Sequence, residues 1–426
     1  MILLSYIRLP MVNYQKFELE NGLKVILHKD GDSTLAAVNV LYQLGSKNEK
    51  ENHTGLTHLF EHMMFTGTKA VPDIDTLLQD AGGENNAFTN ADYTNYYSYA
   101  PTVNLELLLA IEADRMQNLD LTRKKFNIQK NVVIEEFYET CLNQPYGDVW
   151  HLMSEMSFKE HHYKWPTIGK TPDHIHEATY EMIQEYYQYY CPNNAILSIG
   201  GQINIDKVKK LVYKYFEDIP GKIFSLPDPG RETIQRSPRN EQVKRNVPAS
   251  SIYIGFHIPE RIHQDFYALD MMTDFYAYND SSYLYKSLVK EQDLFSSIDA
   301  WVVGSMDPGL LLFEGKLNDE TNINTAISHL KSAIEDGMDK LTDRIVQKIK
   351  NKIRTNLIQS EVNILNKVIS LAYFEMLGNI ELINIEGSIY DSIDQDEMIL
   401  TTKKFIDFDK ANTLIYESVG NFTMDS

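Results

Sequence analysis

Short apolar runs at residues 17–19 and 23–27 flank Asn21-Gly22, a dipeptide that tolerates the positive φ values of a tight turn, so the pattern opens on a β-hairpin. Apolar side chains then fall at Val38, Val40, Tyr42 and Leu44, the period of two of a strand. Helical spacing follows over 56–65. A polar segment, 82–90, leads into an aromatic-rich strand at 92–99. Helical spacing returns at 105–116, at 126–138 and at about 175–190, the last ending before Cys191-Pro192, where proline cannot continue it. A strand at 195–199, closed by Gly200-Gly201, completes the half.

Residues 220–248 carry five prolines and little apolar periodicity, which predicts a linker. Beyond it the pattern repeats. Ile252, Ile254, Phe256 and Ile258 echo the strand at Val38 to Leu44, helical spacing at 323–334 and 344–357 echoes 105–111 and the helix after Thr122, and Asn194-Ala195-Ile196-Leu197 recurs as Asn412-Thr413-Leu414-Ile415. The expectation is a duplicated α+β chain: an N-terminal domain at 11–219, a linker at 220–248 and a C-terminal domain at 249–426.

Composition narrows the function. Of 426 residues, 40 are Lys or Arg and 60 are Asp or Glu, a net charge of −20, which argues against a nucleic-acid backbone as partner. The same charge suggests a negative cavity wall that draws in basic peptides. Only Cys141 and Cys191 are present, too few for a disulfide framework. The apolar run 1–7 is too short for a secretory core, and no stretch approaches the ~18 apolar residues of a membrane span. A cytoplasmic location is expected.

The residues that carry chemistry are His58-Leu59-Phe60-Glu61-His62. Positions i and i+4 share a helix face, so His58 and His62 can present imidazoles to one ion with Glu61 beside them. Two imidazoles suit Zn²⁺, which needs a third protein ligand and an open position for catalysis. The order H-x-x-E-H reverses the H-E-x-x-H zincin motif. Downstream, Glu135 and Glu136 lie in an otherwise apolar helical stretch, and adjacent helix positions point about 100° apart, so only one can face the ion. His151, His161, His162, His174 and His176 lack a carboxylate at ligand spacing and are expected to be structural.

HLFEHMMFTGT at 58–68, GGENNAFTNADYTNYY at 82–97, VVIEEF at 132–137 and HHYKWPTIG at 161–169 together resemble the pitrilysin/insulinase family of zinc peptidases, the inverzincins, a group that includes the β subunit of the mitochondrial processing peptidase and short bacterial members. The resemblance covers essentially the whole chain. It implies two homologous tandem α/β-sandwich domains forming a clamp around a cavity, the second without the metal motif. By position, it implies that His58, His62 and Glu136 bind zinc and that Glu61 serves as general base for a metal-activated water. It further implies that the strand near Asn86, Ala87 and Phe88 is an exposed edge that pairs with an extended peptide substrate.

Two departures from the family stand out. Gln129 occupies the position where a second Glu commonly supports the zinc site, so its amide can hydrogen-bond but adds no charge. An Arg and a Tyr that many members carry in the second half are replaced by Tyr283 and by Ser296, or by Phe295 after a one-residue slip. The leading expectation is a zinc-dependent endopeptidase acting on unstructured peptides or presequence-like segments. The alternative is a non-catalytic or partner-dependent subunit, with a homologous partner supplying the missing pair.

Overall fold

A computed structural model describes residues 11–420, so the apolar run 1–7 lies outside the described residues. The chain forms two compact units. The first holds the chain through Tyr138, Trp165–Pro229 and Asn356–Glu386; the second holds Glu139–Lys164, Gly230–Thr355 and the chain from Gly387 onward.

The first unit is built on six strands, β1 (Tyr14–Glu18), β2 (Lys24–Lys29), β3 (Leu35–Tyr42), β4 (Glu84–Thr89), β5 (Thr94–Pro101) and β6 (Ala195–Gly201), in the order β1-β2-β6-β3-β5-β4. The expected hairpin joins β1 and β2, with Gly22 at φ 87° in the turn. Strand β3 lies inside the sheet, antiparallel to β6 and β5, with Val38 opposite Ile199 and Ser98. Its alternation sends Val38, Val40 and Tyr42 into a core shared with Leu59, Phe60, Met63, Leu108 and Ile134. The other face is buried too, because helix Ile364–Met376 lies across it, with Ile364 and Val368 packed on Ala37. Small residues make that approach feasible: a Cβ at Gly200 would come within 2.7 Å of both Ile364 and Val368.

The predicted helix at 175–190 is divided into Pro172–Glu177 and Tyr180–Tyr186. Ala178 is extended, and the Thr179 side chain accepts the Met182 N–H to start the second segment, a capping signal inside what reads as one apolar period.

The second unit contains β7 (Arg239–Arg245), β8 (Ser251–Ile258), β9 (Phe295–Val303), β10 (Gly309–Leu317) and β11 (Asn412–Ser418), ordered β7-β11-β8-β10-β9. This is the order β2-β6-β3-β5-β4 repeated, including the single parallel pair, β2 with β6 and β11 with β7. Residues 220–238 have no helix or strand, but 239–245 of the expected linker form β7. An edge strand reading Arg-Asn-Glu-Gln-Val-Lys-Arg shows no apolar alternation because so little of it faces a core, and its charges protect the edge from unwanted pairing.

The two units also interleave along the chain, where the sequence suggested a single cut at 220–248. Helix Ile364–Met376 belongs to the first unit, whereas helix Val149–Ser157 belongs to the second and packs on its sheet, its Met153 side chain beside Gly255. No described helix is long and apolar enough to cross a membrane.

The close approach at Gly200 predicts that Gly200→Val destabilises the protein by about 1–3 kcal/mol through overpacking. Adding Ile364→Ala should recover part of that loss in a double-mutant cycle read by chemical denaturation. Independent, additive losses would contradict the packing described.

Candidate metal centre

Helix Leu56–Met64 turns one face to the core: Leu56, Leu59, Phe60, Met63 and Met64 are buried. With 3.6 residues per turn, His58, Glu61 and His62 are left on the other side. The helix begins at Gly55, whose φ of 86° suits glycine, and no side chain of its own caps it. Glu49 does so from an upstream loop. Its carboxylate, 1 % exposed, accepts the N–H of Gly55 at 2.8 Å and of Thr57 at 2.7 Å. The Thr57 hydroxyl meets the Tyr186 hydroxyl at 2.6 Å. At the far end, buried Arg115 places its guanidinium over the rings of Phe65 and of Tyr96 on β5, 5.3 and 5.5 Å from their centroids. Glu112 lies 3.7 Å from that guanidinium.

Helix Arg123–Phe137 supplies the third group. Phe126, Val133, Ile134 and Phe137 are buried, which exposes Glu135 and turns Glu136 toward the two histidines. Glu136 lies 3.7 Å from His58 Nε2 and 3.4 Å from His62 Nε2, one carboxylate oxygen to each. These ligand atoms lie within 4.8 Å of one another, the single such cluster of three or more potential ligands among the described residues. Distances of 3.4 and 3.7 Å exceed an ordinary N–H···O bond, while two imidazole nitrogens and a carboxylate oxygen around one point are a donor set suited to Zn²⁺. The residues present therefore fit the metal.

Electrostatics favour the ligand forms of His58 and Glu136 but oppose that of His62. Burial pushes the His58 pKa down to about 4 against the pull of Glu136, so its imidazole is neutral at pH 7. Burial also opposes charge on His62, but the Glu136 and Glu61 carboxylates and the Gln129 amide outweigh it and its pKa is raised. Glu136 is lowered, chiefly by His62. Burial raises Glu61, although the Thr89 hydroxyl donates to it and works the other way.

The other predicted residues are placed as follows. Gln129 reaches His62 from one side of the second helix. Asn86, Ala87 and Phe88 lie on β4, at the edge of the sheet, opposite Tyr97, Tyr96 and Asn95 of β5. The segment rich in turn residues is thus a strand. In the second unit, Tyr283 stacks on Phe275, ring centroids 5.4 Å apart, Ser296 is exposed and donates to the Lys316 carbonyl, and Phe295 is fully buried. His174 takes up the Thr54 hydroxyl, and His161 lies 3.4 Å from Asp307.

The family model described as Insulinase (Peptidase family M16) matches residues 24–171, and that described as Peptidase M16 inactive domain matches 177–353. The zinc protease PqqE of Helicobacter pylori is 30 % identical over 307 residues, 70 % of this chain and 69 % of that protein. The chain belongs to the M16 peptidase family. The Bacillus subtilis protein named uncharacterized zinc protease YmxG is another relative, 25 % identical over 357 residues, 81 % of this chain and 84 % of its own. Among solved structures, a protease from Helicobacter pylori superposes with a TM-score of 0.91 at 24 % identity, covering 96 % of this chain and all of its own. A Pseudomonas fluorescens structure titled as a peptidase M16 inactive domain gives 0.82 at 11 % identity over 97 % and 99 %. Both share the two-sheet M16 fold.

Sequence reasoning missed Glu49, Thr89 and Arg115. Thr89 stands inside the motif run at 82–97 and could have been singled out there. Glu49 and Arg115 act through tertiary contacts that no local spacing announces.

Burial raises the Glu49 pKa from 4.5 to about 7, outweighing the backbone N–H groups it accepts. The native state therefore binds more protons than the unfolded state between those values, and this contribution to stability is full below about pH 4.5 and lost as pH rises through about 7. On zinc-free protein, the stability of the wild type relative to Glu49→Gln should fall over that window and level off above it. A pH-independent difference in unfolding midpoints would contradict this assignment.

Proposed function

We propose that this chain is a zinc-dependent endopeptidase that hydrolyses unstructured peptides or presequence-like segments, with His58, His62 and Glu136 as metal ligands and Glu61 as general base. The observation that carries it is the convergence of those three ligand atoms beside Glu61. Held by those three side chains, zinc would supply a Lewis acid to polarise the scissile carbonyl and acidify a water. Glu61 receives the proton from that water and returns it to the leaving amine. Thr89 donates to Oε2 of Glu61, which leaves Oε1 to accept. The outer edge of β4 offers main-chain groups to an extended peptide, and the side chains around Asn86, Ala87 and Phe88 offer selectivity.

A second reading is favoured by Tyr283 and Ser296 in the second unit. Neither can supply the charge and fork of an Arg. A homologous partner chain carrying the Arg and Tyr would then complete the enzyme.

Both readings are tested with purified chain, zinc measured by mass spectrometry and a quenched basic peptide, with and without a co-expressed partner. Glu61→Gln should keep stoichiometric zinc and lose at least about 10²-fold in turnover, whereas His58→Ala should lose both metal and turnover. Cleavage only in the partner's presence would select the second reading; stoichiometric zinc without cleavage in either condition would sink the peptidase assignment.

A further inference from the structure

We propose that Thr89 is a positioning residue that holds the Glu61 carboxylate in its working orientation; the role rests on the peptidase reading above. Glu61 is attached to its helix by a flexible stem, and nothing in the helix itself fixes where its carboxylate points. The Thr89 hydroxyl, at the last position of β4, donates to Glu61 Oε2. Thr89 is a stiff anchor for that bond: its β-branched side chain has few rotamers, and its backbone pairs with Thr94 of β5. Thr94 is itself fixed, because its hydroxyl donates to the Leu44 carbonyl at 2.9 Å. The chain of contacts runs from the sheet through Thr94 and Thr89 to the Glu61 carboxylate beside the ligand cluster. With Oε2 engaged by a donor, the carboxylate cannot turn freely, and Oε1 is the oxygen left to exchange a proton.

Thr89→Val keeps the shape and removes the donor; Thr89→Ser keeps the donor on a looser side chain. Steady-state kinetics on the zinc-loaded enzyme should show kcat reduced about 10- to 100-fold in Thr89→Val, with KM within about twofold and zinc content unchanged. Thr89→Ser should recover most of kcat. Crystal structures of the wild type and Thr89→Val should show the Glu61 carboxylate displaced in the variant. Equal kcat losses in Val and Ser variants, a loss confined to KM, or an unmoved Glu61 carboxylate would overturn the proposal. If the wild type with zinc is inert, the peptidase reading falls, and the position of Glu61 in Thr89→Val still decides whether Thr89 sets it.

Discussion

A buried carboxylate beneath the first turn of helix Leu56–Met64 fixes what the candidate centre can be. Helix starts leave backbone N–H groups without partners, and in a core with no water each such group costs about 1–3 kcal/mol. Glu49 takes up those of Gly55 and Thr57 from six and eight positions upstream and so sets the axial position of the helix. Five buried apolar side chains fix its rotation, and Arg115 wedged between Phe65 and Tyr96 fixes its far end. Once the helix has no freedom to slide or roll, His58 and His62 have one place to point, and Glu136 meets them because Val133, Ile134 and Phe137 lock the rotation of the neighbouring helix.

That division between local and tertiary causes explains how much was readable from residues alone. The hairpin at Asn21-Gly22, strands β3, β5, β6, β8 and β11, and the helices around 56–65 and 105–116 follow from local period and turn chemistry. The pairing of His58 and His62 was legible because i and i+4 spacing is a local property. Choosing Glu136 over Glu135 needed the family resemblance, and the structure gives the reason in the helix's buried face. Strands β4 and β7 escaped a pattern reading for one reason: both are edges, with polar side chains and little core contact. The interleaving escaped it for another, since helices Ile364–Met376 and Val149–Ser157 each belong with the sheet of the other half of the chain.

The duplication shows how one architecture can keep its packing and drop its chemistry. Both sheets repeat the same strand order and the same lone parallel pair. Those features answer to sterics and survive in both copies. The cluster of side chains that could hold a metal occurs only in the first among the described residues. In the second, helix Gln264–Ala277 carries Asp270 and Asp274 instead, tied to Tyr390 and Lys352, so its polar groups are consumed within the unit.

The central claim is that two imidazoles and the Glu136 carboxylate hold one zinc ion. Zinc-edge X-ray absorption of the stoichiometrically loaded protein tests it most directly. Two imidazoles and light-atom ligands at about 2.0–2.2 Å are predicted, with one oxygen ligand altered in Glu136→Ala. A sulfur shell near 2.3 Å, or a spectrum unchanged when His58 and His62 are replaced by Ala, would place the metal elsewhere and contradict the account.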